Sequence, residues 1–359
     1  MYFTASSLSG WSPIRRMEGE LEDAPATSAY ANCRVMRAIA ILAALVFVAG
    51  CAGGDDETAG DQIAFTVNRA GWNEIWLMAA DGTERTRLTE LEPPQNDAAG
   101  NGDPAWSPDG TQLAFSGQIG TTVEDPSRTE IYVVRADGTG RRRLTANDAV
   151  DGNPAWSPDG KHIAFVRVAE LGTEQARGGL FVMDADGGSV RQITTAAAPN
   201  LDVAPAWSPD GSEIAFVRVA SSAGSELPRA SLHVVSADGG EVRELGQEGS
   251  EPAWSPDGRS LAFVSYRDRL GRTCFHECST SGEIYLLEVE TGEIRRLTRS
   301  QASDSSPAWS PDGRMIAFVS DRSNRQEHAY EIYVMSPSGD DVRRLTRNEV
   351  WDVEPAWRP

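Results

Sequence analysis

The sequence is short of positive charge. It has 33 lysines and arginines against 53 aspartates and glutamates, a formal net charge of −20 over 359 residues. A surface that acidic repels nucleic-acid phosphates and anionic lipid headgroups, so neither is expected as a direct partner. Cysteine is scarce as well: four in a chain this long do not make a disulfide scaffold. No G-x-S-x-G sequence occurs, which excludes the nucleophile elbow of a hydrolase. The chain is not expected to be an enzyme, and no catalytic residue or metal-ligand set is assigned. The four histidines are scattered. His162 and His233 read as structural and His328 as a solvated loop residue, while His276 lies between two cysteines.

Long apolar runs are also rare. The one at Ala38–Gly50 has thirteen residues, the length of a signal-peptide core and short for a membrane span. It follows Arg37 and ends in Val48-Ala49-Gly50-Cys51, which resembles the bacterial lipobox. Residues 36–50 are therefore expected to be a lipoprotein signal peptide. Cys51 becomes the lipidated mature N-terminus, and 51–60 a flexible linker. An ordinary signal peptide or a short anchor is the alternative. Residues 1–35 fit no signal pattern and are expected to be disordered or to precede the true start. The resulting location is the periplasm and outer membrane, or the outer face of the cell membrane.

What the sequence has in abundance is repetition. The tryptophans of "PAW" fall at 106, 156, 207, 254, 309 and 357. "LAF" or "IAF" follows each full "PAWSPDG", and one more "IAF" stands at 63 with no "PAW" before it. Next come segments such as "EIYVV" at 130 and "EIYVM" at 331, then "RRLT" or a close variant. Each unit thus holds four short segments rich in β-branched and aromatic residues, the signature of a blade that must stack on its neighbours. In Ser107-Pro108-Asp109-Gly110 and its copies, proline presets the turn and glycine takes the positive φ after it. "ADG" joins the third and fourth segments as a tight hairpin. The Trp of "PAW" and the Phe of "IAF" are expected between blades.

The counts are offset. The first unit lacks a "PAW" strand and the last residues supply a spare one. Residues 61–359 are therefore expected to form an all-β, six-bladed propeller of four-stranded antiparallel blades, closed by the C-terminal strand pairing into blade one. The order P-x-W-S-P-D-G, I-A-F, I-Y-V, G, R-x-L-T resembles the TolB-type β-propeller repeat, which is related to WD-type repeats and also occurs beside prolyl oligopeptidase-type hydrolases. The resemblance covers about 300 residues. It implies the fold and says little of function, since propellers serve many. TolB carries an α/β domain before its propeller. Here about nine residues separate Cys51 from the repeats, which argues against a true Tol-system role.

The "SPDG" and "ADG" turns share one face of the disc, and the variable connections share the other. Three features stand out on that loop face. Asp151, Asp202, Asp304 and Asp352 each stand three residues before a "PAW" proline, where Asn101 and Gly249 break the series. They are candidates for the channel mouth, where they would bind a basic side chain or Ca²⁺, or else fix their own loops. The blade-five loop carries Cys274 and Cys278, expected as a disulfide, with a metal site including His276 or two free thiols as alternatives. Arg267, Arg269, Arg272, Arg322 and Arg325 are candidates for a recognition patch, or a solvated rim.

These features favour a lipid-anchored, monomeric scaffold of the cell envelope that holds a protein or peptide on its loop face and channel mouth. It needs no cofactor and touches the membrane only through the lipid. A carbohydrate-binding or carbohydrate-active propeller is the alternative.

Overall fold

The computed structural model describes residues 62–69, 72–89, 100–119, 128–170, 177–196, 200–220, 229–268, 282–323 and 329–359. These form six four-stranded antiparallel sheets. Blade one combines Trp351–Trp357 with Gln62–Arg69, Trp72–Ala79 and Thr86–Arg87. Blades two to six take their strands in chain order. They begin with Asn101–Trp106, Val150–Trp156, Leu201–Trp207, Ser250–Trp254 and Asp304–Trp309. These six "PAW" strands are innermost, each touching that of the next blade, and blade six's touches blade one's. The ring is closed as the offset counts required: Trp357 pairs with Ile63 and Ala356 with Ala64.

The "IAF" motif shows why the blades stack. Alternate strand residues face opposite sides of a sheet, and in a propeller those sides meet the neighbouring blades. Ile163 and Phe165 face blade two, whereas Ala164 between them faces blade four. Large side chains on one face thus meet alanine on the next. Six hydrophobic clusters result, one at each seam, and the six phenylalanines of "IAF" and "LAF" are at most 1% exposed. Three tryptophans lash inner strands together: the indole N–H groups of Trp106, Trp207 and Trp254 donate to Ala356, Ala155 and Ala206 of the preceding blades.

The polar letters of the repeat have local duties. In each "SPDG" turn the serine hydroxyl donates to the aspartate and accepts the N–H five residues on, as Ser208 does with Asp210 and Glu213. The threonine of "R-x-L-T" is buried and accepts a third-strand N–H, which ties the short outer strand to the blade. Thr145 does so with Ile131 and Thr298 with Ile284. Blade four has Gly246 in that place, and its outer strand runs instead as a longer segment, Val242–Glu248.

Candidate functional site

The inner strands bend at their prolines. Proline lacks the N–H that a ladder needs, and the pairing of first and second strands slips there in all six blades. The residue before each proline takes a left-handed backbone. Asp103, Asn153, Ala204, Glu251, Ser306 and Glu354 lie at φ between 49° and 55°. For a residue with a Cβ this costs about 1–2 kcal/mol. With the prolines, these six line an axial cavity of about 180 Å³.

Hydrogen bonds tie this ring across the seams. Glu354 accepts the Thr66 hydroxyl and the Asp103 N–H, each at 2.8 Å. Ser116 donates to Asp103 at 2.8 Å and accepts the Asn153 N–H at 3.1 Å. Glu251 accepts the Ser306 N–H at 2.5 Å. Burial, and then the charge of Glu354, hold the Asp103 carboxyl well above the usual range; burial pushes Glu251 up to about 7.

The four aspartates expected at the channel mouth lie elsewhere. Asp151, Asp202, Asp304 and Asp352 are fully buried and do not line the axial cavity. The reason is geometric: a regular strand residue in a blade points into a seam, and only the left-handed bulge two residues later points to the axis. Three of them hold guanidinium groups by two bonds each. Arg167 donates to Asp151 at 2.7 and 2.7 Å, Arg218 to Asp202 at 2.7 and 2.8 Å, and Arg322 to Asp304 at 2.9 and 2.9 Å. Each guanidinium also lies on at least one aromatic ring of its blade: Arg322 is 5.0 Å from both Phe318 and Tyr333, and Arg218 is 5.7 Å from Phe216. In blade four the second ring of the pair is His233, stacked 5.5 Å from Phe216 in the structural place expected of it.

Blade one keeps the acid without the base. Val67 stands opposite Asp352, where Arg167 and Arg218 stand opposite Asp151 and Asp202. Asp352 Oδ2 accepts the Asn348 amide at 2.6 Å, but among the described residues Asp352 Oδ1 and Glu331 Oε2 are buried without a hydrogen-bond partner. Burial, and then the charge of Glu331, push Asp352 up to about 6.

Of the candidate recognition arginines, Arg322 is committed to Asp304, and Arg267 lies on Phe263 and Tyr285 without an aspartate. Arg269, Arg272, Arg325, Cys51, Cys274 and Cys278 lie outside the described residues. Among the described residues, no group of three or more His, Cys, Asp and Glu side chains is placed to hold a metal ion. Sequence reasoning missed the axial ring and Arg141, which fills the arginine's place in blade two. The proline inside each inner strand was the available signal for the ring, because a strand proline marks a bulge.

Residues 126–356 match the family model of the tricorn protease N-terminal beta propeller domain. The chain belongs to that family. It is also homologous to TolB proteins: the Tol-Pal system protein TolB of Bordetella pertussis is 36% identical over 145 residues, 40% of this chain and 30% of that protein. The uncharacterized peptidase YuxL of Bacillus subtilis is 27% identical over 217 residues, 60% of this chain and 29% of that protein. The matches thus span less than a third of these curated relatives' length. Among solved structures, TolB from Acinetobacter baumannii has a TM-score of 0.61 at 21% identity, covering 84% of this chain and 67% of its own. Hydrazine synthase of Kuenenia stuttgartiensis has a TM-score of 0.63 at 18% identity, covering 83% and 46%. At such identities the likeness shows the fold alone.

Proposed function

We propose that this family member is a binding scaffold of the cell envelope, exported and held at a membrane by a lipid on Cys51. In this reading residues 36–50 are the signal segment and 51–60 the tether, and the propeller of 61–359 meets a protein or peptide partner as a monomer. Residues 1–35 are absent from the mature protein. Homology to proteins named for the Tol-Pal system supports an envelope role and a binding reading of the chain. The observation that carries the reading is the difference between the two faces. "SPDG" recurs five times on one face, while the connections on the other differ in length and charge from blade to blade. Variation of that kind on a rigid frame is how recognition surfaces are built. The partner sits over the loop face and the mouth of the axial cavity, and the membrane is touched only through the lipid.

Crosslinking and pull-down from envelope fractions tests this, with wild type compared to a variant lacking residues 269–281. Wild type should capture a defined partner that the variant loses. The same partner from both would exclude that loop, and none from either would overturn the scaffold. Cys51→Ser should release the protein from membranes; unchanged membrane association would refute the lipid anchor.

A further inference from the structure

Blades three, four and six each close a three-part unit at their loop-face end. It comprises a pair of stacked or tilted rings, a guanidinium lying on one or both of them, and a buried aspartate that accepts two of its N–H bonds. Among the described residues, blades two and five hold the rings and the guanidinium but no aspartate in that place.

In blade five, Gly249 occupies the aspartate's place. A Cβ there would lie 2.5 Å from the Phe263 ring and 2.6 Å from the Val264 carbonyl oxygen, so this strand leaves no room for a side chain. Arg267 nonetheless lies 5.0 Å from Tyr285 and 5.7 Å from Phe263. It donates to Ser265 Oγ at 3.0 Å and Gln247 Oε1 at 2.9 Å, both neutral, and it is exposed. The adjacent acid, Asp268, is bonded to the Tyr285 hydroxyl and Arg296.

In blade two the aspartate's place is taken by Asn101, with Gly117 opposite it. Arg141 reaches over from the outer-strand side and lies 4.6 Å from Tyr132 and 5.3 Å from Phe115. Its Nη2 donates to Asn101 Oδ1 at 3.2 Å. Asn101 is 1% exposed, and among the described residues its Nδ2 has no hydrogen-bond partner. A buried donor left unpaired is costly, so this end of the blade lacks an acceptor as well as a negative charge.

We infer that blades two and five carry binding positions for a carboxylate supplied by a ligand, held by Arg141 with Asn101 in one and by Arg267 in the other. The closed units are the template, since they show how this fold seats a carboxylate against a stacked guanidinium. Stacking fixes the guanidinium beforehand, so little freedom is lost when the anion arrives. The net charge of −20 disfavours extended polyanions, which leaves isolated carboxylates. Resting on the scaffold reading, these belong to acidic side chains or the C-terminus of the protein or peptide partner.

The experiment is a glutarate titration of the full chain labelled with ¹⁵N-arginine, following the Nε–Hε resonances, with inorganic phosphate as a second probe. Arg141→Lys and Arg267→Lys assign the two signals. Both should move and saturate with glutarate, while those of Arg167, Arg218 and Arg322 stay in place. No movement of the two, or equal movement of all five, overturns the inference; a signal that alone fails to move overturns it for that blade. Tighter binding of phosphate than of glutarate overturns the carboxylate assignment. The double variant in the envelope pull-down separates this inference from the scaffold reading. Partner capture undiminished by both substitutions removes the partner's carboxylates as the ligand and leaves the scaffold standing. Glutarate binding with no partner captured by wild type does the reverse.

Discussion

Asp202 and Arg218 illustrate how this protein uses charge in its interior. The carboxylate is fully buried and accepts two guanidinium bonds, and the guanidinium lies on Phe216. Removing one partner of such a pair leaves the other buried and uncompensated, so Asp202→Ala should cost about 3–5 kcal/mol in urea unfolding. A loss within the range of a surface substitution would show that Arg218 simply turns out to water. Asp352 is the opposite case, an acid whose base is missing. Its folded value of about 6 lies above the roughly 4 of an unfolded aspartate. The folded state therefore keeps a proton that the unfolded state releases. That stabilisation is complete below about pH 4 and is lost as pH rises through about 6. Asp352→Asn is neutral throughout and should spare the protein this loss, so wild type should fall behind the variant between pH 4 and 7. Parallel stability curves would mean that Asp352 ionises freely in the fold.

At the scale of the element, the turns differ in how tightly they are built in. Gly258 has a φ of 72°, and a Cβ there would meet only Pro209, at 3.7 Å. Gly258→Ala should therefore cost little beyond the backbone term, about 1 kcal/mol. Gly339 has a φ of 91°, and its Cβ would lie 2.5 Å from the Leu297 carbonyl oxygen of blade five. Gly339→Ala must also displace a neighbouring blade, so its thermal unfolding should drop clearly further than that of Gly258→Ala. Equal drops would show that the hairpin moves away freely. These turns, and the strands between them, were legible because the residue types that force them recur in fixed order. The axial ring was not, because its six positions hold Asp, Asn, Ala, Glu, Ser and Glu. What they share is a left-handed backbone ahead of a proline, and a side-chain pattern does not record that. The aspartates stood out as letters for the same reason in reverse. They recur because each serves its own blade, and recurrence alone could not separate that duty from a shared site.

At the scale of the whole molecule the decisive seam is between blades six and one, where residues from the two ends of the propeller meet. Its cluster joins Ile63, Phe65, Val67 and Met78 to Ala317, Ile332, Val334 and Leu345, as densely apolar as the seams within the chain. The strand Trp351–Trp357 contributes three things to it. It pairs along Ile63–Asn68, it packs Trp357 against the cluster, and it places Glu354 where blades one and two both donate to it. Deleting residues 353–359 removes most of that pairing, the tryptophan and the glutamate together, and bares the edge of the strand at Gln62–Arg69 to other chains. Phe318→Ala provides the scale: a fully buried phenylalanine cut to alanine should cost about 3–5 kcal/mol. The seven-residue deletion should cost more than that and should also broaden the unfolding transition, because an open ring no longer holds its end blades against each other. Blades one and six should then lose amide hydrogen-exchange protection first, ahead of blades three and four across the ring. A deletion variant that unfolds as sharply as wild type, and at a smaller loss than Phe318→Ala, would mean that five seams suffice and that the closing strand is dispensable.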